Sequence, residues 1–339
     1  SGLEPVRRIL LESGFTHVLT VPEQAQPDPD FPTVPSPNPE ERSALAMAIA
    51  LAEREMADLV IATDPDADRM GLAIREEDGG YRVLSGNQIG LLLMDYILAA
   101  KKSAGSLPEG SFCVTTIVST RLARSVAAHY GAVLMECLTG FKYIGELIKE
   151  HDENGDMHFQ FGFEESYGYL SGTDVRDKDA VVAAMLAAEM AASARDRGLT
   201  LFGLLQDLYT RFGYAAEKTW SFSLSSREGL ERIRRCMDRL RAEKAAGLAG
   251  LHVLRVKDYL TSVATEYSDG SESRIDLPRS DVLLYELEGM DWICVRPSGT
   301  EPKIKIYAGA YDADPAACGT RLEGMAESLH RLMEERLSE

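Results

Sequence analysis

The chain has 339 residues, 45% of them hydrophobic and 27% charged, with a formal net charge of −18 at pH 7. That length calls for two or three domains rather than one core. The acidic balance excludes generic binding to nucleic acid or anionic membrane, which needs a surplus of Lys and Arg.

No apolar run approaches the roughly 20 residues of a membrane span, and no secretory leader pattern opens the chain, so a cytoplasmic protein with no membrane partner is expected. The five cysteines are scattered without a Cys-x-x-Cys pair, and the six histidines lack metal spacing. Neither a disulfide framework nor a zinc site is indicated.

The first twelve residues read as a helix: Val6, Ile9 and Leu10 share a side, Pro5 suits the first turn and Gly14 the stop. A strand is predicted from Thr16 to Val21. Helix then strand is half of a βαβ unit, and the strand expected before the helix is not in the chain. Residues 22–39 hold seven prolines and read as a long extended loop, of the kind that is often functional. It ends at Asn38-Pro39-Glu40-Glu41, which predicts N-cap, N1 proline and first-turn acids for a helix through about Met56. Strands follow at Asp58 to Thr63 and Met70 to Ile74, then a helix from Gly86 to Lys101.

A Gly/Ser/Pro stretch at 103–111 marks a boundary. Beyond it, strands at 112–118, 132–137 and 158–162 alternate with helices at 119–130, 141–150 and 179–197, a second α/β layer structure. From about 213 strands dominate (216–224, 251–256, 282–288, 291–296, 303–310), with helices at 226–243 and 312–336. The expected fold class is α/β: two mixed α/β sandwich domains at 1–106 and 107–213, then an α+β domain at 214–339.

The sharpest local signal is Asp64-Pro65-Asp66-Ala67-Asp68-Arg69, directly after an apolar strand. Carboxylates at alternate positions leaving a strand can converge on one hard cation, and oxygen ligands suit Mg²⁺. An EF-hand beginning at Asp64 would need Gly and Glu where Arg69 and Arg75 stand, so it fails. A phosphatase with Asp-x-Asp after a strand remains as an alternative, although Asp68 sits where Thr or Val is expected.

Two more loops carry chemistry. Arg296-Pro-Ser298-Gly299-Thr300-Glu-Pro-Lys303 combines a guanidinium, two hydroxyls and a backbone turned by glycine, three kinds of donor suited to a phosphate. The window from Cys294 to Lys305 also holds Arg296, Lys303 and Lys305 against one acid, Glu301. Phe161-Gly162-Phe163-Glu164-Glu165-Ser166-Tyr167-Gly168 places carboxylates and a hydroxyl between glycines, groups that recognise vicinal sugar hydroxyls, although an acidic turn would read the same. Arg176-Asp-Lys178-Asp179 opens a helix and suits either a phosphate or a salt-bridge network.

Taken in order with Leu138-Thr139-Gly140-Phe141-Lys142, these loops resemble those of the α-D-phosphohexomutases, of the phosphoglucomutase/phosphomannomutase kind. Phe31-Pro-Thr-Val34, Pro37-Asn-Pro-Glu40 and the form of the 162–168 loop are most similar to the branch with bacterial phosphoglucomutases and phosphopentomutase-like enzymes. The resemblance implies the family's second, third and fourth domains. It also implies a phosphoserine in a Thr-Ala-Ser-His-Asn-Pro-like loop of a first domain, which this sequence does not contain, so the chain by itself is expected to be inactive.

By the same resemblance, a phosphoenzyme gives its phosphoryl group to a phosphorylated sugar, and a sugar 1,6-bisphosphate reorients and returns the other phosphoryl group. Asp64, Asp66 and Asp68 would hold Mg²⁺, with Arg69 near the phosphoserine. Glu164 and Ser166 would bind sugar hydroxyls, Thr139, Gly140, Phe141 and Lys142 would orient the ring, and Arg296, Ser298, Gly299 and Thr300 would hold the unreacting phosphate. Arg176 belongs to the same binding set, and Lys178 is the candidate acid/base. Sugar-phosphate binding without turnover and metal-dependent phosphatase activity stand as alternatives.

Overall fold

The first helix forms where the apolar spacing places it. In the computed structural model, which describes residues 1–224, 228–243, 247–248, 251–298 and 301–338, α1 (Leu3–Glu12) buries Leu10 and packs on a later helix. Gly14, at φ +95°, stops it while Phe15 N–H donates back to Leu10 O.

The predicted strand at Thr16 to Val21 does not form. Those residues take no regular structure and pair with no strand among the described residues. Apolar alternation specifies a face, whereas a strand also needs a neighbour to take its hydrogen bonds. The next helix also starts later than Asn38 suggests. Asn38 Oδ1 accepts from Glu40 N–H in a single isolated turn, Glu41 is extended, and α2 runs Arg42–Glu55. The isolated turn presses on the sheet: a Cβ on Gly71 would sit 2.4 Å from Pro39 O.

Strands β1 (Leu59–Thr63), β2 (Met70–Arg75) and β3 (Tyr81–Val83) form an antiparallel sheet in that order. In β2, Met70, Leu72, Ala73 and Ile74 are completely buried. In β1, an equally apolar strand, only Val60 is buried; among the described residues β1 lies at the sheet edge with β2 as its one strand neighbour.

Helix α3 (Gly86–Ser103) opens on a capping box in which Ser85 and Gln88 each bond the other's backbone N–H. Then follow β4 (Ser111–Thr116), α4 (Leu122–Tyr130), β5 (Val133–Cys137), α5 (Phe141–Asn154), β6 (His158–Phe163), β7 (Tyr169–Leu170), α6 (Ala180–Asp196) and α7 (Leu201–Phe212). The sheet order is β5-β4-β6-β7, with β4 parallel to both β5 and β6 and β7 antiparallel to β6. The parallel strands bring the turns after β4, β5 and β6 to one end of the sheet, where ligands of open α/β sheets are usually held. Helix α4 begins three residues later than predicted, since Ser119 and Thr120 are engaged in side-chain hydrogen bonds of the preceding turn. Helix α7 was not anticipated; it buries Leu201, Leu205, Leu208 and Tyr209 at helical spacing.

Residues Ser1–Phe212 form one compact unit and Gly213–Glu339 another. The second contains β8 (Tyr214–Ser223), α8 (Gly229–Ala242), β9 (Gly247–Leu248), β10 (Leu251–Asp258), β11 (Val263–Glu266), β12 (Glu272–Arg274), β13 (Leu283–Leu287), β14 (Trp292–Pro297), β15 (Lys303–Asp312) and α9 (Pro315–Ser338). All its strand pairings are antiparallel, in the order β12-β11-β10-β13-β14-β15-β8 with β9 beside β10. Apolar side chains of α8 and α9, among them Met237, Leu240, Leu329 and Met333, close the core against this sheet. The α+β character expected of this region is present.

Candidate active site

Two turns, about 100 residues apart in sequence, are built alike. In the first, β1 leads to Asp64, the chain reverses through Ala67 at φ +60°, and Asp64 N–H donates to Arg69 O (3.3 Å). In the second, β6 leads to Glu164, the chain reverses through Tyr167 at φ +68°, and Glu164 N–H donates to Gly168 O (2.9 Å). Left-handed backbone is uncommon outside glycine, and each turn places it at a non-glycine residue.

The turns are joined by their backbones. Arg69 and Gly168 form an antiparallel bridge, and Met70 N–H donates to Tyr167 O at 3.0 Å. Sequence spacing marks both turns as candidates but carries no sign of this seam.

The acidic turn brings two of its three carboxylates together. Asp64 is largely covered (side chain 13% exposed), and its Oδ1 accepts from Asp68 and Arg69 N–H, both at 3.1 Å. Burial holds the Asp64 carboxyl above its ordinary value; the backbone donor of Arg69 opposes the shift and the charge of Asp68 adds to it. Asp66 is exposed at the crest of the turn. Among the described residues, no three His, Cys, Asp or Glu side chains gather closely enough to hold a metal ion by themselves.

Asp68 Oδ2 lies 2.9 Å from Lys178 Nζ, while its Oδ1 is buried with no hydrogen-bond partner. Arg69 stands among acids, 3.6 Å from Glu40 and 4.0 Å from both Asp64 and Asp68. A hard divalent cation fits this donor set. It would take oxygen ligands, would satisfy the orphaned Asp68 Oδ1, and would relieve the repulsion between Asp64 and Asp68.

In the second turn Glu164 is 5% exposed, and its Oε1 accepts from Gly140 N–H at 2.8 Å, fixing the start of α5. Glu165 Oε2 accepts from Thr116 Oγ1 (3.1 Å), which also lies 2.9 Å from Ser119 Oγ. Ser166 is half-buried at the crest. The hydroxyls of Tyr167 and Tyr169 donate to Leu84 O (3.1 Å) and Gly86 O (3.3 Å), tying the turn to the residues that open α3.

The remaining expected residues divide. Thr139 and Gly140 are half-buried beside Glu164, and Gly140 has φ +122°. Phe141 is a core residue, 4% exposed, and Lys142 is exposed with Nζ 4.8 Å from the Tyr143 ring centroid. Across 176–179, Arg176 bonds Asp152 (3.1 Å), Lys178 pairs with Asp68, and Asp179 caps α6. The stem of Lys178 lies over Gly168, where a Cβ would meet Lys178 Cδ at 2.8 Å.

In the second unit, Arg296 and Ser298 sit at the end of β14, with Ser298 N–H donating to Lys303 O (2.7 Å) across the hairpin. Lys303 pairs with Glu301 at 3.0 Å. Gly299 and Thr300 lie outside the described residues.

Domain models of one family match the chain consecutively: Phosphoglucomutase/phosphomannomutase alpha/beta/alpha domain II over residues 1–79, domain III over 85–212 and the C-terminal domain over 264–317. The chain belongs to the α-D-phosphohexomutase superfamily. It is 38% identical over 304 residues to the phosphoglucomutase of Staphylococcus aureus (strain MRSA252), covering 89% of this chain and 53% of that protein. With the phosphoglucomutase of Staphylococcus saprophyticus it shares 34% over 307 residues, 91% of this chain and 55% of that one. The chain thus spans about half the length of the curated relatives it matches.

Solved structures show the same fold. A putative phosphomannomutase from Thermus thermophilus superposes with a TM-score of 0.57 at 20% identity, over 88% of this chain and 51% of that one. The open form of pp63/parafusin from Paramecium gives 0.60 at 18% identity, over 88% and 50%.

Proposed function

We propose that these domains serve a phosphoglucomutase-type intramolecular phosphotransferase, interconverting sugar 1-phosphate and 6-phosphate through a phosphoserine and a sugar bisphosphate. The observation that carries this reading is the seam between Arg69 and Gly168. It joins the acidic turn to the Glu164 turn, with Lys178 reaching from Gly168 to Asp68.

Phosphoryl transfer depends chiefly on positioning and charge neutralisation. Asp64 and Asp68, with Asp66 at the crest, would hold magnesium, which would supply charge neutralisation at the phosphoryl group. Glu164, clamped by Gly140 N–H, is pre-oriented to accept from sugar hydroxyls, and Ser166 beside it can donate or accept. Lys178 is within reach of the same surface as a proton donor or acceptor. Arg296 and Ser298 provide donors for a phosphate in the second unit, and Gly299 and Thr300 belong to the same proposed clasp. A phosphorylated sugar is the partner, and sugar 1,6-bisphosphate the activator, on this reading.

The reaction begins from a phosphoserine, and the sequence holds no Thr-Ala-Ser-His-Asn-Pro-like loop. The test is conversion of glucose 1-phosphate with Mg²⁺ and glucose 1,6-bisphosphate. The chain alone should not turn over, and should do so when joined to a phosphoserine-bearing domain of the family. Robust turnover by the chain alone would overturn the requirement for that serine. Phosphate release abolished by Asp64→Asn would favour a phosphatase instead.

A further inference from the structure

We infer that Lys178 is a built-in counter-ion of the acidic turn which a divalent cation displaces, so that metal binding and release of the Lys178 ammonium are a single event. The inference rests on the magnesium site proposed above.

Asp68 is divided between two uses. Its Oδ2 is held by Lys178 Nζ at 2.9 Å, and its Oδ1 is buried without a hydrogen-bond partner. Asp64 lies against Asp68, and both are 4.0 Å from the Arg69 guanidinium, which is closer to Glu40 at 3.6 Å. Lys178 is therefore the nearest cation to the carboxylate pair among the described residues, standing where metal charge would otherwise act.

A dication on Asp68 and an ammonium on the same carboxyl group repel at short range, in surroundings where Lys178 is only 17% and Asp68 31% exposed. Lys178 can give way without disturbing the fold. Its backbone is fixed by the N–H bond to Asp177 Oδ1 (2.8 Å) and by the neighbouring bond from Asp179 N–H to Tyr169 O (2.8 Å). Its stem rests on Gly168, which lacks the Cβ that would block it. Moving Nζ off Asp68 therefore requires a turn of the outer side-chain torsions alone. The released ammonium stays over the seam between the turns, available to a phosphoryl oxygen or sugar hydroxyl. By linkage, whatever the metal costs the Lys178 contact, Lys178 costs the metal.

The test uses Mg²⁺ alone and the chain as it stands. Calorimetric titration at constant ionic strength should show Lys178→Met binding Mg²⁺ five- to tenfold more tightly than wild type. In wild type, mass-spectrometric labelling of lysines by an amine-reactive reagent should show the Lys178 rate rising severalfold on saturation with Mg²⁺. Asp68→Asn should label quickly at Lys178 with or without Mg²⁺. Unchanged or weaker Mg²⁺ binding by a folded Lys178→Met variant would overturn the inference while leaving the metal site intact, as would unchanged Lys178 labelling under saturating Mg²⁺. If Lys178→Met fails to fold, the wild-type labelling decides alone. If wild type takes up no Mg²⁺, the metal site and the counter-ion role fall together.

Discussion

The Cα of Gly86 lies against the backbone carbonyl of Glu165, so closely that a Cβ there would sit 2.1 Å from the oxygen and 3.0 Å from Tyr167 N. Neither neighbour is a flexible side chain, so a methyl group must push the turn or the start of α3 aside. Gly86→Ala is expected to lower stability by about 1–3 kcal/mol, the usual range for overpacking, measured by urea unfolding. It should also weaken sugar-phosphate binding in calorimetry.

Tyr167 holds the same turn from below, and its hydroxyl is one of the bonds on which the turn's left-handed backbone rests. Tyr167→Phe keeps the ring and leaves Leu84 O without that donor, at an expected cost of about 1–2 kcal/mol. Hydrogen exchange should quicken at Met70 and Gly168 in particular; a loss of protection spread evenly through the unit would point to a general packing defect.

Asp179 Oδ1 accepts from Val181 and Val182 N–H at 2.8 and 3.1 Å. Removing the cap with Asp179→Ala should cost about 1 kcal/mol, readable by thermal unfolding. Asp179→Asn or Asp179→Ser should restore most of the loss, since either side chain can cap.

Alkaline pH should loosen the first unit by a route that can be written in advance. Burial pushes the Cys113 and Cys137 thiols from 9.0 up to about 12, and the Tyr130 and Tyr167 hydroxyls from 10.0 up to about 12. In the unfolded chain these groups lose their protons from about pH 9 upward, while the folded chain keeps them. The unfolded state then binds fewer protons, so stability falls as pH rises between about 9 and 12 and is unaffected by these groups below that window. Thermal midpoints at pH 8, 9.5 and 11 should decline accordingly. Cys113→Ala should flatten the slope.

The candidate motifs stand out in the sequence because each is contiguous and carries its own chemical signature: an acidic run after a strand, glycines around Glu164, a guanidinium beside hydroxyls. Their joining was not. The Arg69–Gly168 bridge and the Lys178–Asp68 pair link residues about 100 positions apart, and nothing in local spacing announces such a contact. Local rules also misplaced Asn38, whose side chain closes a turn that ends before α2 begins. At Thr16 to Val21 the pattern of a strand was present without the neighbour that would make it one.

The outer edge of β1 invites association. Leu59-Val-Ile-Ala-Thr63 is as apolar as an interior strand, yet among the described residues it pairs with β2 alone, leaving the groups of its other edge outside any ladder. Such an edge is a template for any extended chain, including another copy of itself. Preparations of this chain should therefore behave best when dilute, and a lysine at Ile61 should improve their keeping more than any change made deep in the core.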